Sequence, residues 1–136
     1  MPKKNILIDM SATIIHHGHI RLINKASRSG NVIIALTKDK EIKKFKGYIP
    51  EIKFKHRKEI LVNIKKVYKV IPSNFYNTSH FLKKNKIHYL VHGNDNKNVI
   101  DKKKLKIFAR TPNISSTIIR KKASKNLNLI NEKKNK

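Results

Sequence analysis

Two short apolar runs near the amino end set the pattern for the 136-residue chain. Asn5 to Asp9 reads Asn-Ile-Leu-Ile-Asp, and Val32 to Leu36 is a second run rich in β-branched residues. Both have the length and unbroken hydrophobicity of strands buried on two faces. Between them, Ile20, Ile23 and Ala26 recur at three-residue spacing ahead of Gly30, which predicts a helix over 19–29 with a glycine just past its end. The result is a β-α-β unit. Over Phe54 to Ile64, the residues Arg57, Ile60, Leu61 and Ile64 share one helical stripe. A strand from Lys66 to Ile71 follows, with Pro72 as its stop. Then come a short helix over His80 to Asn85, a strand from Tyr89 to His92 closed by Gly93, a weaker strand over Leu105 to Phe108, and a serine-capped helix over 115–125.

This alternation predicts an α/β fold: a Rossmann-like, mostly parallel five-stranded sheet with helices on both faces. In such a sheet the ligand lies outside the carboxyl ends of the strands, so function is expected in the segments that follow them. The length suits one core, assigned to residues 1–125, and the polar, Lys- and Asn-rich stretch 126–136 reads as a frayed or disordered basic tail. No apolar run approaches the ~20 residues of a membrane span, and the short apolar stretch after Pro2 to Asn5 is read as a strand, so no secretion signal is expected. A soluble, cytoplasmic protein is expected. With no cysteine, a disulfide framework and cysteine-based zinc sites are ruled out.

Charge changes the picture less than its size suggests. The formal net charge is +25, which at first reading points to nucleic acid or an anionic membrane. Yet only five of the 33 basic residues are Arg, and the Lys are spread through every segment alongside abundant Ile and Asn. A phosphate-gripping surface enriches the forked guanidinium, and the nine Phe and Tyr do not cluster with the Lys runs as stacking platforms would. This composition argues against a nucleic-acid partner. It also draws attention to Arg21, Arg28, Arg57, Arg110 and Arg120.

Candidate chemistry gathers after strands. His16-His17-Gly18-His19 opens the first helix, where free backbone N–H groups and a partial positive charge favour anions. His16 and His19, three apart, can face one side and donate ring N–H bonds to phosphate oxygens; a metal site of these histidines has no carboxylate or cysteine nearby to complete it. Arg110-Thr111-Pro112-Asn113-Ile114-Ser115-Ser116-Thr117 again follows a strand and opens a helix, so it offers either a second phosphate edge or ordinary serine capping. Arg57 stands near the start of a third helix, with Lys46 in the loop before it; Arg57 can bind phosphate or pair with Glu51. Gly93-Asn94-Asp95-Asn96 reads as a turn. Three anion-friendly helix starts at one sheet edge point to a polyphosphate site. The matching chemistry is in-line attack by an acceptor phosphate oxygen on a nucleotide α-phosphorus.

These residues resemble the cytidylyltransferase-like nucleotidyltransferases, typified by glycerol-3-phosphate and phosphocholine cytidylyltransferases, over about Asn5 to Arg120. His16 to His19 is similar to the HxGH signature, His56 to Leu61 to an R-x-E-I-L helix start, and Val70-Ile71-Pro72 to a strand end. Val91 to Asp95 is similar to a G-D-D-W turn, and Arg110 to Thr117 to an R-T-x-G-I-S-T-T segment. The resemblance implies that His16 and His19 hold the triphosphate and stabilise the transition state, with Lys46 and Arg57 helping to hold phosphates. It implies nucleotide contacts from Met10, Ser11, Gly18, Gly93, Asp95, Arg110, Ile114, Ser115, Ser116 and Thr117. It also implies transfer of CMP from CTP to a small phosphate- or phosphonate-bearing acceptor, Mg²⁺ bound with the triphosphate, and a homodimer. Met10-Ser11-Ala12-Thr13 replaces the usual G-T-F-D and is similar to cytidylyltransferase modules joined to phosphoenolpyruvate mutase, which points to an acceptor such as 2-aminoethylphosphonate or phosphocholine. Asn94 and Asn96 stand where the family has aspartate and tryptophan. Ile114 to Arg120 also resembles the I-S-S-T-x-x-R of nicotinate-nucleotide adenylyltransferases, which keeps ATP as an alternative, and a non-catalytic nucleotide binder is a further one.

Overall fold

The structure, a computed structural model, describes residues 3–93 and 96–135. Five strands form one sheet in the order β3-β2-β1-β4-β5, and every neighbouring pair is parallel. They are β1 (Asn5–Met10), β2 (Asn31–Thr37), β3 (Val67–Ser73), β4 (Tyr89–His92) and β5 (Leu105–Ile107). The helices are α1 (His17–Ser27), α2 (Asp39–Lys46), α3 (Phe54–Val62), α4 (Ser79–Lys84) and α5 (Ser116–Lys134), with a 3-10 turn at Lys102–Lys104. The expected α/β architecture is therefore present.

The unbroken apolar runs are buried on both sides of the sheet, as a parallel sheet requires. In β1 and β2, Ile6, Ile8, Val32, Ile34 and Leu36 face one core with Ile23 and Ala26 of α1 and Leu61 of α3. The alternate residues Leu7, Ile33 and Ala35 join Leu82 of α4, Ile87 and Leu90 in the other. Helices thus cover both faces, and the site is left to the strand ends.

Local chemistry revises several boundaries. Pro72 does not stop β3, which continues to Ser73: β3 is an edge strand, where a missing N–H costs no ladder bond. Gly30 is not a left-handed helix cap. A Cβ there would lie 2.1 Å from the Lys4 carbonyl oxygen, so glycine is needed for close backbone approach. Asp39 to Lys46 forms a helix that the apolar pattern does not predict; its one buried residue is Ile42, and Gly47 ends it at φ 82°. Lys46 is thus the last residue of α2 rather than part of a loop. The pattern predicts the final helix over 115–125, whereas α5 runs on to Lys134 with no buried residue. No Gly or Pro interrupts that stretch, and Lys, Leu and Ala favour helix.

Candidate active site

The chain lays down β1, β2 and β3 in one direction across the sheet and then returns to place β4 on the other side of β1. At this switch point the carboxyl ends of β1 and β4 open on a cleft of about 890 Å³. Met10, the last residue of β1, lines it, as do Ser11 and Gly93 directly after those two strands. The loop from β1 to α1 turns through Ala12 in the left-handed region, φ 44°, a conformation that a non-glycine residue holds only when its surroundings impose it.

His16, Gly18 and His19 line the same cleft. His16 is the N-cap of α1: its Nδ1 accepts the Gly18 N–H at 3.1 Å, and Nδ1 of His19 accepts the His16 N–H at 3.1 Å. The two rings lie 3.9 Å apart. With both Nδ1 atoms accepting, each neutral ring carries its proton on Nε2. Burial lowers the His19 pKa to about 4, and the nearby His16 and Arg110 act in the same direction. Burial and then His17 lower that of His16. Both rings are therefore neutral N–H donors at physiological pH. Gly18 belongs to this geometry, since a Cβ there would lie 2.9 Å from the His16 ring and 3.2 Å from Ile114.

The amino end of α5 meets the amino end of α1 in this cleft. Ser115 caps α5, its Oγ accepting from Ile118 N–H at 3.1 Å. Ser116 Oγ donates to the Ile14 carbonyl at 3.1 Å and accepts the Ile14 N–H at 3.3 Å, joining α5 to the β1–α1 loop. Arg110, Ile114, Ser115, Ser116 and Thr117 all line the cleft, as does Lys46 at the end of α2. Two helix N-termini, two neutral imidazole N–H donors and several cations, Lys46 and Arg110 among them, thus share one cavity. This is a site for a polyanion.

Arg57 is elsewhere, which corrects the expectation that it faces phosphate. It is fully buried, and its guanidinium donates to the carbonyls of Ser11, Thr37 and Ile52 and to Asp39 Oδ1 at 2.6 Å. Its partner is Asp39, not Glu51. Nor is the start of α3 open to an anion, because the Asp39 carboxylate accepts the Phe54 N–H with both oxygens at 3.1 Å. Asp39 already plays the part that a phosphate would have played at that helix end. Arg57 instead holds the Ser11 carbonyl of the β1–α1 loop against the end of β2. Asp95 lies outside the described residues.

Several residues in or beside the cleft receive no site role from the sequence. Glu51 accepts from Arg120 Nε at 2.7 Å and Nη2 at 2.9 Å, which holds the Glu51 carboxyl below its ordinary range. Arg120 also donates to Thr13 Oγ1 at 2.8 Å and stacks 4.5 Å from the Tyr48 ring. Where β1 and β4 end, Asp9 Oδ2 accepts from Asn98 Nδ2 at 2.9 Å and Asn77 Nδ2 at 3.3 Å. An ionisable residue ending a buried strand at the sheet's carboxyl edge is the one signal that could have flagged Asp9. Its asparagine partners lie 68 and 89 residues away and left no local pattern.

Comparison with known proteins fits this geometry. Among curated proteins, none matches the sequence. Among solved structures, the chain is similar to the crystal structure of the lipopolysaccharide core biosynthesis protein from Thermoplasma volcanium GSS1. The TM-score is 0.61 at 19% identity, over 69% of this chain and 77% of that one, a likeness of fold. Among the described residues no helix is long and apolar enough to cross a membrane. The model of the cytidylyltransferase-like family matches residues 11–122, which include the HxGH segment, the α5 N-terminus and most of the cleft. The chain belongs to the cytidylyltransferase-like family and is a nucleotidyltransferase.

Proposed function

We propose that the protein transfers CMP from CTP to a small acceptor bearing a phosphate or phosphonate, with release of pyrophosphate. The observation that carries this reading is the convergence of the His16 and His19 rings, both with Nδ1 held by backbone N–H groups, with the amino end of α5 in one cleft. An acceptor oxygen attacks the α-phosphorus in line, the bond to the bridging oxygen of the β-phosphate breaks, and pyrophosphate leaves with the electron pair. The attacking oxygen is already anionic, so no side chain need act as base. The chain's contribution is positioning and charge neutralisation. The two Nε2–H groups donate to phosphate oxygens as charge builds on them, Lys46 and Arg110 offset that charge, and the free amides of α5 receive the remainder.

Among the described residues no three His, Cys, Asp or Glu side chains gather around a common point. The Mg²⁺ in this proposal is the ion that enters with the triphosphate, as the family resemblance implies. When bound, it supplies Lewis-acid neutralisation of the leaving pyrophosphate. The homodimer implied by the resemblance is retained as part of the proposal, to be checked by sedimentation.

The test is pyrophosphate release with Mg²⁺, each of the four nucleoside triphosphates, and a panel of phosphate and phosphonate acceptors. CTP should exceed the other three by at least tenfold with the best acceptor. Faster release with ATP would instead favour the adenylyltransferase reading, which rests on the resemblance of Ile114 to Arg120.

A further inference from the structure

Between α2 and α3 the chain runs as a strap, residues 47–53, beside the cleft. It leaves α2 through Gly47 at φ 82°, where a Cβ would meet nothing within 4 Å, so this glycine serves the left-handed turn rather than a close approach. Among the described residues no backbone–backbone hydrogen bond involves residues 48–52. The far end of the strap is fixed, because Arg57 Nε donates to the Ile52 carbonyl at 3.0 Å and Asp39 accepts the Phe54 N–H. The near end is not. In α2 only Ile42 is buried, and the last turn, which carries Lys46 to the cleft, is exposed, with Phe45 stacked on Phe75. Eight residues make a helix that is marginal without outside support.

Apart from the buried Pro50, the middle of the strap is held by side chains that converge on α5 and the β1–α1 loop. Tyr48 OH donates to Thr13 Oγ1 at 3.3 Å. Arg120 of α5 takes hold from the other side: its guanidinium lies 4.5 Å from the centre of the Tyr48 ring, and Nε and Nη2 donate to the two Glu51 oxygens at 2.7 and 2.9 Å. Nη2 also donates to Thr13 Oγ1 at 2.8 Å. An exposed ion pair contributes little when it is one flexible contact. This one is a pair of parallel N–H···O bonds on a planar fork, backed by an aromatic face and by a buried threonine. The guanidinium edge that would clasp a phosphate, Nε with Nη2, is thereby committed to Glu51. Arg120 lines the cleft but directs its fork at the strap.

We propose that Arg120 and Glu51 are positioning residues: their ion pair clips the strap to α5 and so holds Lys46 and Tyr48 on the cleft wall, without either partner touching the nucleotide. The clip joins residues 69 apart and couples the two sides of the cleft, α5 with its anion-receiving amino end and α2 with Lys46 as its last residue. Lys46 adjoins the strap through Gly47 alone, so its ammonium is placed only as firmly as the strap is. The role of Lys46 toward phosphate comes from the transfer reading above, on which this inference rests.

The test has two arms on the full chain. The chain has no cysteine, so Ile49→Cys, at a strap position 71% exposed, takes a single spin label. Adding Glu51→Gln or Arg120→Gln should sharpen the label's line shape to that of a freely moving loop; an unchanged line shape would overturn the clip, whether or not the chain binds nucleotide. The second arm is calorimetric titration with Mg²⁺ and α,β-methylene-CTP. Glu51→Gln and Arg120→Gln should each weaken binding about fivefold, the double variant no further, and neither should matter by more than about twofold once Lys46→Ala is present. If Arg120→Gln still weakened binding fully beside Lys46→Ala, the guanidinium would sit on the phosphates. If Glu51→Gln tightened binding, the carboxylate would be a competitor of the nucleotide. Either result overturns the positioning role. A wild-type chain that bound no nucleotide would sink the transfer reading, whereas the spin label reports on the clip by itself.

Discussion

His16 and His19 are tied to the backbone through Nδ1, and that bond fixes which nitrogen faces the cleft. It also makes them sensitive to acid. The His19 pKa is about 4 in the folded chain against an ordinary 6.5, so the unfolded chain takes up this proton first as pH falls. Stability from this residue is complete above about pH 6.5, declines as pH falls toward 4, and changes no further below it; the loss is roughly 3 kcal/mol at most. Denaturant midpoints measured across pH 4 to 7 should show this slope in the wild-type chain and a flatter one in His19→Gln. Arg57 makes the opposite kind of contribution. Arg57→Ala strands Asp39 and leaves three backbone carbonyls without their donor, which should destabilise the fold by about 3–5 kcal/mol. Arg57→Lys should recover little, because one ammonium cannot reproduce the fork. A melting temperature unchanged in Arg57→Ala would refute this structural role.

At the scale of elements, the site depends on two helix ends being brought together across most of the sequence. Ser116 joins α5 to the β1–α1 loop through both polar groups of Ile14, 102 residues away. Ser116→Ala should cost about 1–2 kcal/mol of stability and raise the KM for nucleotide several-fold with a smaller effect on kcat, as read by urea unfolding and steady-state kinetics. The strands, the helix starts of α1 and α5 and the HxGH segment were legible because each leaves a local mark: an apolar run, a capping serine, histidines three apart. The role of Arg57 was not legible. Near a helix start it looks like a phosphate ligand, and only the fold shows that Asp39, 18 residues earlier, already occupies both that helix end and that guanidinium. The helix α2 was missed for a related reason, since a single buried apolar residue in eight gives no periodicity to read.

At the scale of the whole molecule, the net charge of +25 says little about where the ligand sits, because the Lys are everywhere. Topology says more. The order β3-β2-β1-β4-β5 puts the strand ends of β1 and β4 side by side and opens the cleft between the segments that follow them. That much could be anticipated from alternating strands and helices. The Asp9, Asn77 and Asn98 network could not, because it assembles from the end of β1 and two separate connections and only the fold brings them to one point. The central claim is that turnover depends on the paired imidazoles at the mouth of α1, and it is tested most directly by the kcat for pyrophosphate release in His16→Ala and His19→Ala beside the wild-type chain. The account predicts a fall of about 10²–10³-fold in each with the circular dichroism spectrum unchanged; near-wild-type turnover in either variant would contradict it.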